Sequence, residues 1–181
     1  MSGSQRFQGV SDVRDDISSA VMCRNSSKKH FEYNNIFDCR TAYDNIGTNS
    51  YCEDGCIGLY SCVKACPNGA IRYDLSVCDS ECRACGICQQ VCPLKLIAKI
   101  PVEKKVFFRC MGASSTQDKS KICRDACHNC YLCMDICTRR AITINEKGRP
   151  QIELKKCNGC LKCVRKCPSG VISTTGLKIW D

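Results

Sequence analysis

A chain of 181 residues is long enough for one or two small domains, yet 21 of its residues are cysteines, far more than an apolar core requires. Because the cysteine count is odd and no secretory signal is recognised from Met1 to Val10, a secreted disulfide scaffold is disfavoured, and metal or redox chemistry in the cytoplasm is favoured. The formal net charge of +9 would ordinarily indicate a nucleic-acid or lipid partner, but few aromatic residues are interleaved with the basic ones.

The first 50 residues are polar, rich in Ser and Asn, and contain two cysteines, Cys23 and Cys39. This composition predicts an extension of partly irregular structure. We expect residues 1 to about 18 to be loosely ordered unless a partner holds them.

Four later segments share one cysteine spacing, and such repetition indicates a repeated structural unit. In chain order they read CIGLYSCVKACP, CRACGICQQVCP, CHNCYLCMDICT and CNGCLKCVRKCP, and they begin at Cys56, Cys82, Cys127 and Cys157. The second and fourth match the C-x2-C-x2-C-x3-C-P run of bacterial ferredoxins in full. The third has Thr138 in place of the proline, and the first has Leu59 in place of the second cysteine.

A short β-prone stretch follows each run, and AITINEKGRPQIEL (residues 141–154) alternates apolar and polar residues on both sides of Lys147-Gly148, which predicts a β-hairpin. The predicted fold class is α+β: two tandem bacterial 2[4Fe-4S] ferredoxin-like modules with an irregular N-terminal cysteine-containing extension. The predicted boundaries are 1–50 for the extension, 51–102 for module 1, 103–119 for a connecting insertion and 120–181 for module 2. Because each unit buries little apolar surface, we expect bound metal to supply the missing folding energy.

The ferredoxin runs imply a ligand set for each cluster. A loop with a thiolate at every third residue reaches three corners of a cubane, and in two-cluster ferredoxins the cysteine before the proline ligates the other cluster. Carried over residue by residue, this pattern implies four [4Fe-4S] clusters: Cys82, Cys85 and Cys88 with Cys66; Cys127, Cys130 and Cys133 with Cys167; Cys157, Cys160 and Cys163 with Cys137; and Cys56 and Cys62 with Cys92. The last set needs another donor because of Leu59, and we expect Cys52, four residues before Cys56, to provide it. The alternative is a three-iron cluster with Cys52 free.

Zinc is the main competing interpretation of closely spaced cysteines. A structural zinc site usually takes two cysteine pairs separated by a loop, whereas four thiols within eleven residues, repeated along the chain, suit a cubane better. Cubanes also account for the charge, since each oxidised cluster with its four thiolates carries about −2 and the basic side chains would balance it. The sequence therefore predicts no nucleic-acid partner.

Several features beyond the runs resemble the polyferredoxin subunit of the Rnf complex, the electron-accepting component of ion-pumping ferredoxin:NAD oxidoreductases. They are the DCRTA stretch from Asp38, the YCEDGCIGLYSCVKACPNGAI stretch from Tyr51, the isolated Cys110 after VFF, and the KICRDACHNCYLCMDIC stretch that contains Cys123. The family's subunit begins with a membrane helix and a further cluster domain, neither of which is recognised here. The most apolar stretch, Leu94 to Val102, contains two lysines and a proline, so no direct membrane span is predicted.

The resemblance implies a polyferredoxin that relays single electrons between a low-potential donor, such as an acidic ferredoxin or flavodoxin, and a partner flavoprotein or membrane oxidoreductase subunit. It would work within a hetero-oligomeric complex rather than as a catalyst on its own, and would contact the membrane only through a partner. Basic residues beside the runs are expected to dock the acidic donor; they are Lys64, Lys155, Lys156, Lys162, Arg165 and Lys166. The alternative is an iron-sulfur redox or oxygen sensor that acts through a partner protein.

Five cysteines remain outside the four sets. Cys78 falls where the family pattern needs no cysteine, whereas Cys23, Cys39, Cys110 and Cys123 all lie at pattern positions. We therefore hypothesise that these four hold a fifth [4Fe-4S] cluster. The alternatives are buried thiols or zinc ligands, and an iron count decides between them.

Overall fold

The computed structural model describes residues 17–102, 106–110, 119–146 and 148–174. Most of the segment predicted to be loosely ordered, residues 1–16, lies outside these ranges. The described residues contain six short helices and six short strands. They are β1 (Ile17–Val21), α1 (Cys39–Asn45), α2 (Ser61–Lys64), α3 (Ile87–Val91), β2 (Ile97–Pro101), β3 (Val106–Phe108), α4 (Lys119–Ile122), α5 (Leu132–Asp135), β4 (Ile142–Ile144), β5 (Pro150–Ile152), α6 (Lys162–Lys166) and β6 (Ile172–Thr174).

The described strands form three antiparallel two-stranded sheets. β1 pairs with β2, β3 pairs with β6, and β4 pairs with β5. The β4–β5 pair is the predicted hairpin, with Ile142 opposite Ile152, and this prediction is confirmed. Gly148 has a φ of +70°, a left-handed conformation that glycine adopts without the steric cost of a Cβ.

The N-terminal segment is built into the first half of the molecule, by which we mean residues 51–102. Val21 on β1 packs with Ile71, Leu75 and Ile97 in one buried core. The sequence pattern did not predict β1, because ISSAV has neither apolar alternation nor a turn signal, and its partner strand lies far along the chain. The extension is therefore less irregular than expected, since it supplies one edge of a sheet.

Residues 106–110 connect the two halves. We call residues 119–174 the second half. Val106 and Phe108 pack into its core with Val171, whereas Phe107, on the opposite face of the same strand, packs against Ala20 of β1. The backbone N–H of the next residue, Arg109, donates to the Val171 carbonyl at 2.7 Å, and its guanidinium donates to the Leu75 carbonyl of the first half at 3.1 Å. Within the predicted insertion, residues 106–108 thus form a strand that pairs with β6 and packs on both of its faces.

None of the helices in the described ranges has the length and apolar character that a membrane crossing requires.

Candidate metal centres

The four cysteine runs share one backbone conformation. The residue before each of the helices α2, α3, α5 and α6 is left-handed, and so is the residue two positions earlier. The eight residues are Gly58 and Tyr60, Ala84 and Gly86, Asn129 and Tyr131, and Gly159 and Leu161. A non-glycine residue in this conformation costs about 1–2 kcal/mol, so its recurrence indicates a functional constraint. Such alternation turns successive N–H groups into a concavity that binds anions, including iron-sulfur clusters.

A second repeated feature is a hydrogen bond to the last cysteine of each run. The backbone N–H groups of Ala70, Leu96 and Ala141 donate to the sulfur of the cysteine four residues earlier, at 3.3, 3.4 and 3.3 Å. In the fourth run, burial raises the pKa of Cys167, but hydrogen bonds from Ser169 and from the Val171 backbone outweigh burial and lower it overall. Each of these sulfurs is therefore placed where N–H dipoles stabilise negative charge, as the ligands of a cluster require.

The first run borders a small cavity. Four cysteines line it, namely Cys39, Cys56, Cys62 and Cys92, and most of the other lining residues are apolar. Burial, followed by the neighbouring thiols of Cys39 and Cys92, raises the pKa of Cys62 to about 11. Cys52, the donor that the sequence predicted for this place, does not line the cavity.

Helix α1 brings Cys39 to this cavity. Asp38 caps the helix by accepting a hydrogen bond from the Thr41 backbone N–H at 2.8 Å, and hydrogen bonding to Thr41 lowers the pKa of its carboxyl. Cys39 then lies on the buried face of the helix with Ala42, and its N–H donates to the hydroxyl of Ser61 at the start of α2. The DCRTA stretch thus carries a cysteine into the first half from outside the run.

The second run borders a separate small cavity. Its cysteines are the four that the ferredoxin pattern predicts, Cys66, Cys82, Cys85 and Cys88. The pKa of Cys88 is raised, chiefly by burial and also by the other three thiols. A hydrogen bond with the hydroxyl of Ser19 on β1 opposes this rise. The N-terminal strand therefore closes one side of this site.

In the second half, two buried thiols have other cysteines as near neighbours. Burial, followed by the neighbouring thiols of Cys127, Cys163 and Cys167, raises the pKa of Cys133 to about 11. Burial likewise raises the pKa of Cys163 to about 11, and Cys157 and Cys160 contribute as its neighbours. Cys133 thus lies near Cys127 of its own run and near Cys163 and Cys167 of the fourth run, and Cys163 lies near Cys157 and Cys160.

Four cysteines outside these groups lie near one another. Cys23 and Cys110 face each other across an isolated antiparallel bridge, and Ser27 forms a similar bridge with Cys123. Burial raises the pKa of Cys23, and the thiols of Cys123 and Cys110 raise it further. Burial, together with the neighbouring thiols of Cys23 and Cys110, raises the pKa of Cys52 to about 11. The structure therefore brings Cys52, rather than Cys39, to the group that contains Cys23.

Cys78 lies apart from these groups of cysteines. Its sulfur lies 3.2 Å from the hydroxyl of Ser80, and it lines neither cavity of the first half. This position agrees with its lack of a role in the ligand pattern.

The donors fit iron-sulfur clusters in their chemistry. All 21 cysteines are free thiols, which are the usual ligands of [4Fe-4S] clusters. Within the described residues, no three His, Cys, Asp or Glu side chains are placed to hold a single metal ion. The cysteines of the first half instead surround apolar cavities, beside backbone N–H groups that point at sulfur. Thiol donors, apolar walls and N–H donors together suit a multi-iron cluster.

Three family patterns match the chain. A 4Fe-4S dicluster domain matches residues 126–171, and 4Fe-4S binding domains match residues 53–72 and 79–102. All four cysteine runs fall within these ranges. The prediction of ferredoxin-like [4Fe-4S] segments is thereby confirmed, and the chain combines such segments with both helices and strands.

The chain is also similar to one subunit, designated B, of several ion-translocating oxidoreductase complexes. It is 33% identical to this subunit of the Na(+)-translocating ferredoxin:NAD(+) oxidoreductase complex of Acetobacterium woodii, over 86% of this chain and 48% of the relative. It is 34% identical to the same subunit of the proton-translocating complex of Clostridium ljungdahlii, over 80% and 52%, and 29% identical to that of the ion-translocating complex of Methanosarcina acetivorans, over 78% and 55%. The chain thus spans about half the length of these relatives. The predicted resemblance to this subunit is confirmed over most of the chain.

Proposed function

We propose that this chain is the electron-transfer subunit of an oxidoreductase complex and relays single electrons through [4Fe-4S] clusters. The observation that carries the proposal is the conformation repeated in all four runs, with two left-handed residues in the loop and an N–H that meets the sulfur of the last cysteine. Bound clusters supply one-electron redox chemistry. The comparisons support this function rather than a sensor, since the relatives are named as oxidoreductase subunits.

The residues of the chain hold and tune the clusters. Apolar walls exclude water from the first-half cavities, and N–H donors oriented at sulfur favour the reduced, more negative state. We assign one cluster to the second run with Cys66, one to the third run with Cys167 and one to the fourth run with Cys137. A further cluster belongs to the first run, and a fifth lies outside the runs.

We place the docking surface for an acidic donor on helix α6. Its exposed residues Lys162, Arg165 and Lys166 lie directly beside the fourth run. Two of the other predicted docking residues are engaged elsewhere, since the ammonium of Lys64 donates to the Phe37 carbonyl at 2.9 Å and Lys156 pairs with Glu153 at 2.7 Å. A reduced ferredoxin or flavodoxin is the expected donor, and a flavoprotein or membrane oxidoreductase subunit is the expected acceptor. The complex would keep this chain at the cytoplasmic face of the membrane.

The test is anaerobic electron transfer from a reduced acidic ferredoxin, followed by stopped-flow bleaching of the cluster absorbance. We expect rapid reduction that slows as salt is raised, because exposed charges are screened. The double variant Lys162→Gln/Lys166→Gln should slow the reaction at low salt, whereas the control Lys64→Gln should have a smaller effect. Iron-replete protein that takes no electrons from any low-potential donor would contradict the proposed function.

A further inference from the structure

We propose that Cys23, Cys52, Cys110 and Cys123 hold the fifth [4Fe-4S] cluster, and that Cys39 completes the cluster of the first run. This exchanges Cys39 and Cys52 relative to the assignment that the sequence suggested. The inference rests on the proposed iron-sulfur function and specifies where its fifth cluster lies.

Three of the four cysteines are brought together by one segment, residues 22–28. This segment bridges to Cys110 through Cys23 and to Cys123 through Ser27. The bridge at Ser27 is continued by Lys28, whose N–H donates to the Ile122 carbonyl at 2.7 Å, and the hydroxyl of Ser26 lies 3.2 Å from the sulfur of Cys123. These backbone contacts therefore bring Cys23, Cys110 and Cys123 close to one another.

Cys52 reaches the same place from a tight turn. The Tyr51 N–H donates to the Lys28 carbonyl at 3.0 Å, and this hydrogen bond links the turn to residues 22–28. The turn closes with a hydrogen bond from Gly55 to the Cys52 carbonyl at 2.7 Å, and a Cβ on Gly55 would lie only 2.8 Å from that oxygen. Glycine is therefore required, and the turn holds Cys52 close to Cys23 and Cys110.

Cys39 is placed at the other site. It lines the first-run cavity with three cysteines of the first half, and it is fixed there by helix α1 and by the hydroxyl of Ser61. Leu59, the residue that replaces the missing cysteine, packs against the same small core as Cys39. The donor lost from the run is thus replaced from the neighbouring helix.

The fifth site adjoins the first-run site and the second half. The backbone N–H of Cys56, whose side chain lines the first-run cavity, donates to the sulfur of Cys23 at 3.4 Å. Cys110 directly follows Arg109, whose N–H donates to the Val171 carbonyl of the second half. A cluster at this place would stand between the two halves and connect them in one relay.

An anaerobic iron count on single and double alanine variants tests the exchange. Alanine is used because a serine hydroxyl can itself bind iron. Each of Cys23→Ala, Cys39→Ala and Cys52→Ala should lose about four irons per chain from a total of about twenty. The control Cys78→Ala should lose none.

The double variants distinguish the two assignments. If Cys23 and Cys52 share a cluster, their double variant loses about four irons, no more than either single variant, whereas the Cys23→Ala/Cys39→Ala double variant loses about eight. The reverse pattern would restore the assignment suggested by sequence. Loss of zinc instead of iron from the Cys52 variant, or a wild-type total of about sixteen irons, would remove the fifth cluster altogether.

Wild-type protein provides a second measurement that does not depend on folding of the variants. Anaerobic alkylation of the iron-replete protein, read by mass spectrometry, should label Cys78 and leave Cys23, Cys39 and Cys52 protected until iron is chelated. Alkylation of Cys23 or Cys52 before chelation would overturn the proposal. A protein that passes both tests yet accepts no electrons would contradict only the relay function, and a working relay with about sixteen irons would contradict only the fifth site.

Discussion

In the second half of the chain both runs contain every cysteine of the ferredoxin pattern, whereas the first half combines one complete run with one in which Leu59 replaces a ligand. The second half also leaves Cys130 and Cys160 exposed, while the N-terminal segment covers much of the first half. Asn25 lies so close to the first run that a Cβ on Gly58 would come within 2.6 Å of its amide nitrogen. On the proposed assignment, a cluster loop can lose a ligand when a neighbouring segment both replaces the donor and shields the site.

Removal of all iron should separate the two halves most clearly. Chelation under reducing conditions is expected to abolish amide protection at β3–β6 and β4–β5, because three-residue strands around a small core cannot fold without metal. The β1–β2 sheet pairs five residues on each strand, so it should keep part of its protection. Hydrogen exchange read by mass spectrometry on the chelated and iron-replete protein measures both effects. Full protection throughout the metal-free chain would show that the metal is not needed for folding.

Restoring the missing cysteine should make the two halves alike. In the Leu59→Cys variant the first run has the complete ferredoxin spacing, so Cys39 should become dispensable. The Leu59→Cys/Cys39→Ala variant is expected to regain the roughly four irons that Cys39→Ala alone loses. Leu59→Ala in the same background is the matched control and should regain none. If the cysteine at this position fails to restore iron, Cys39 is not the replacement donor.

Sequence alone predicted the parts of the fold that depend on local spacing. The cluster loops follow from the repeated cysteines, and the β4–β5 hairpin follows from alternation around Gly148. The pairing of β1 with β2 could not be predicted, because Ile17 opposes Pro101 and no local pattern records a contact between residues so distant.

The placement of Cys39 and Cys52 shows the same limit at the site. Cys52 precedes Cys56 by four residues, and closeness along the chain favoured it as the missing donor. The tight turn at Gly55 carries Cys52 toward Cys23 instead. A usable signal was present in Asp38 and Thr41, whose capping pair predicts a helix that begins at Cys39 and sets its direction.

A charge test can distinguish the clusters of the first half from those of the second. Lys29 is half-buried, its ammonium donates to the Cys56 carbonyl at 2.7 Å, and Cys56 and Cys23 are its nearest thiols. Burial lowers its pKa, while the nearby thiols raise it. Lys29→Met should lower the reduction potential of the adjacent clusters by tens of millivolts, on the order expected for losing one cation at a partly buried site. EPR-monitored titration measures the potentials, and Lys155→Met, beside the fourth run, is the control that should leave the first-half clusters unchanged.

The smallest expected effect concerns the left-handed residue that precedes the helix of each run. The second run has Gly86 there, with a φ of 82°, whereas the fourth run has Leu161, with a φ of 60°. Gly86→Ala adds a Cβ that meets no atom closer than 3.4 Å, so its cost of about 1–2 kcal/mol should come from the backbone conformation alone. Leu161→Gly relieves the same strain in the second half, but it removes a partly buried side chain that packs against the core and adds freedom to the unfolded chain, so a net loss of about 1 kcal/mol is expected. The temperature at which each variant loses cluster absorbance should therefore fall for both variants. A rise for Leu161→Gly would mean that the left-handed backbone costs more than the Leu161 side chain contributes by packing.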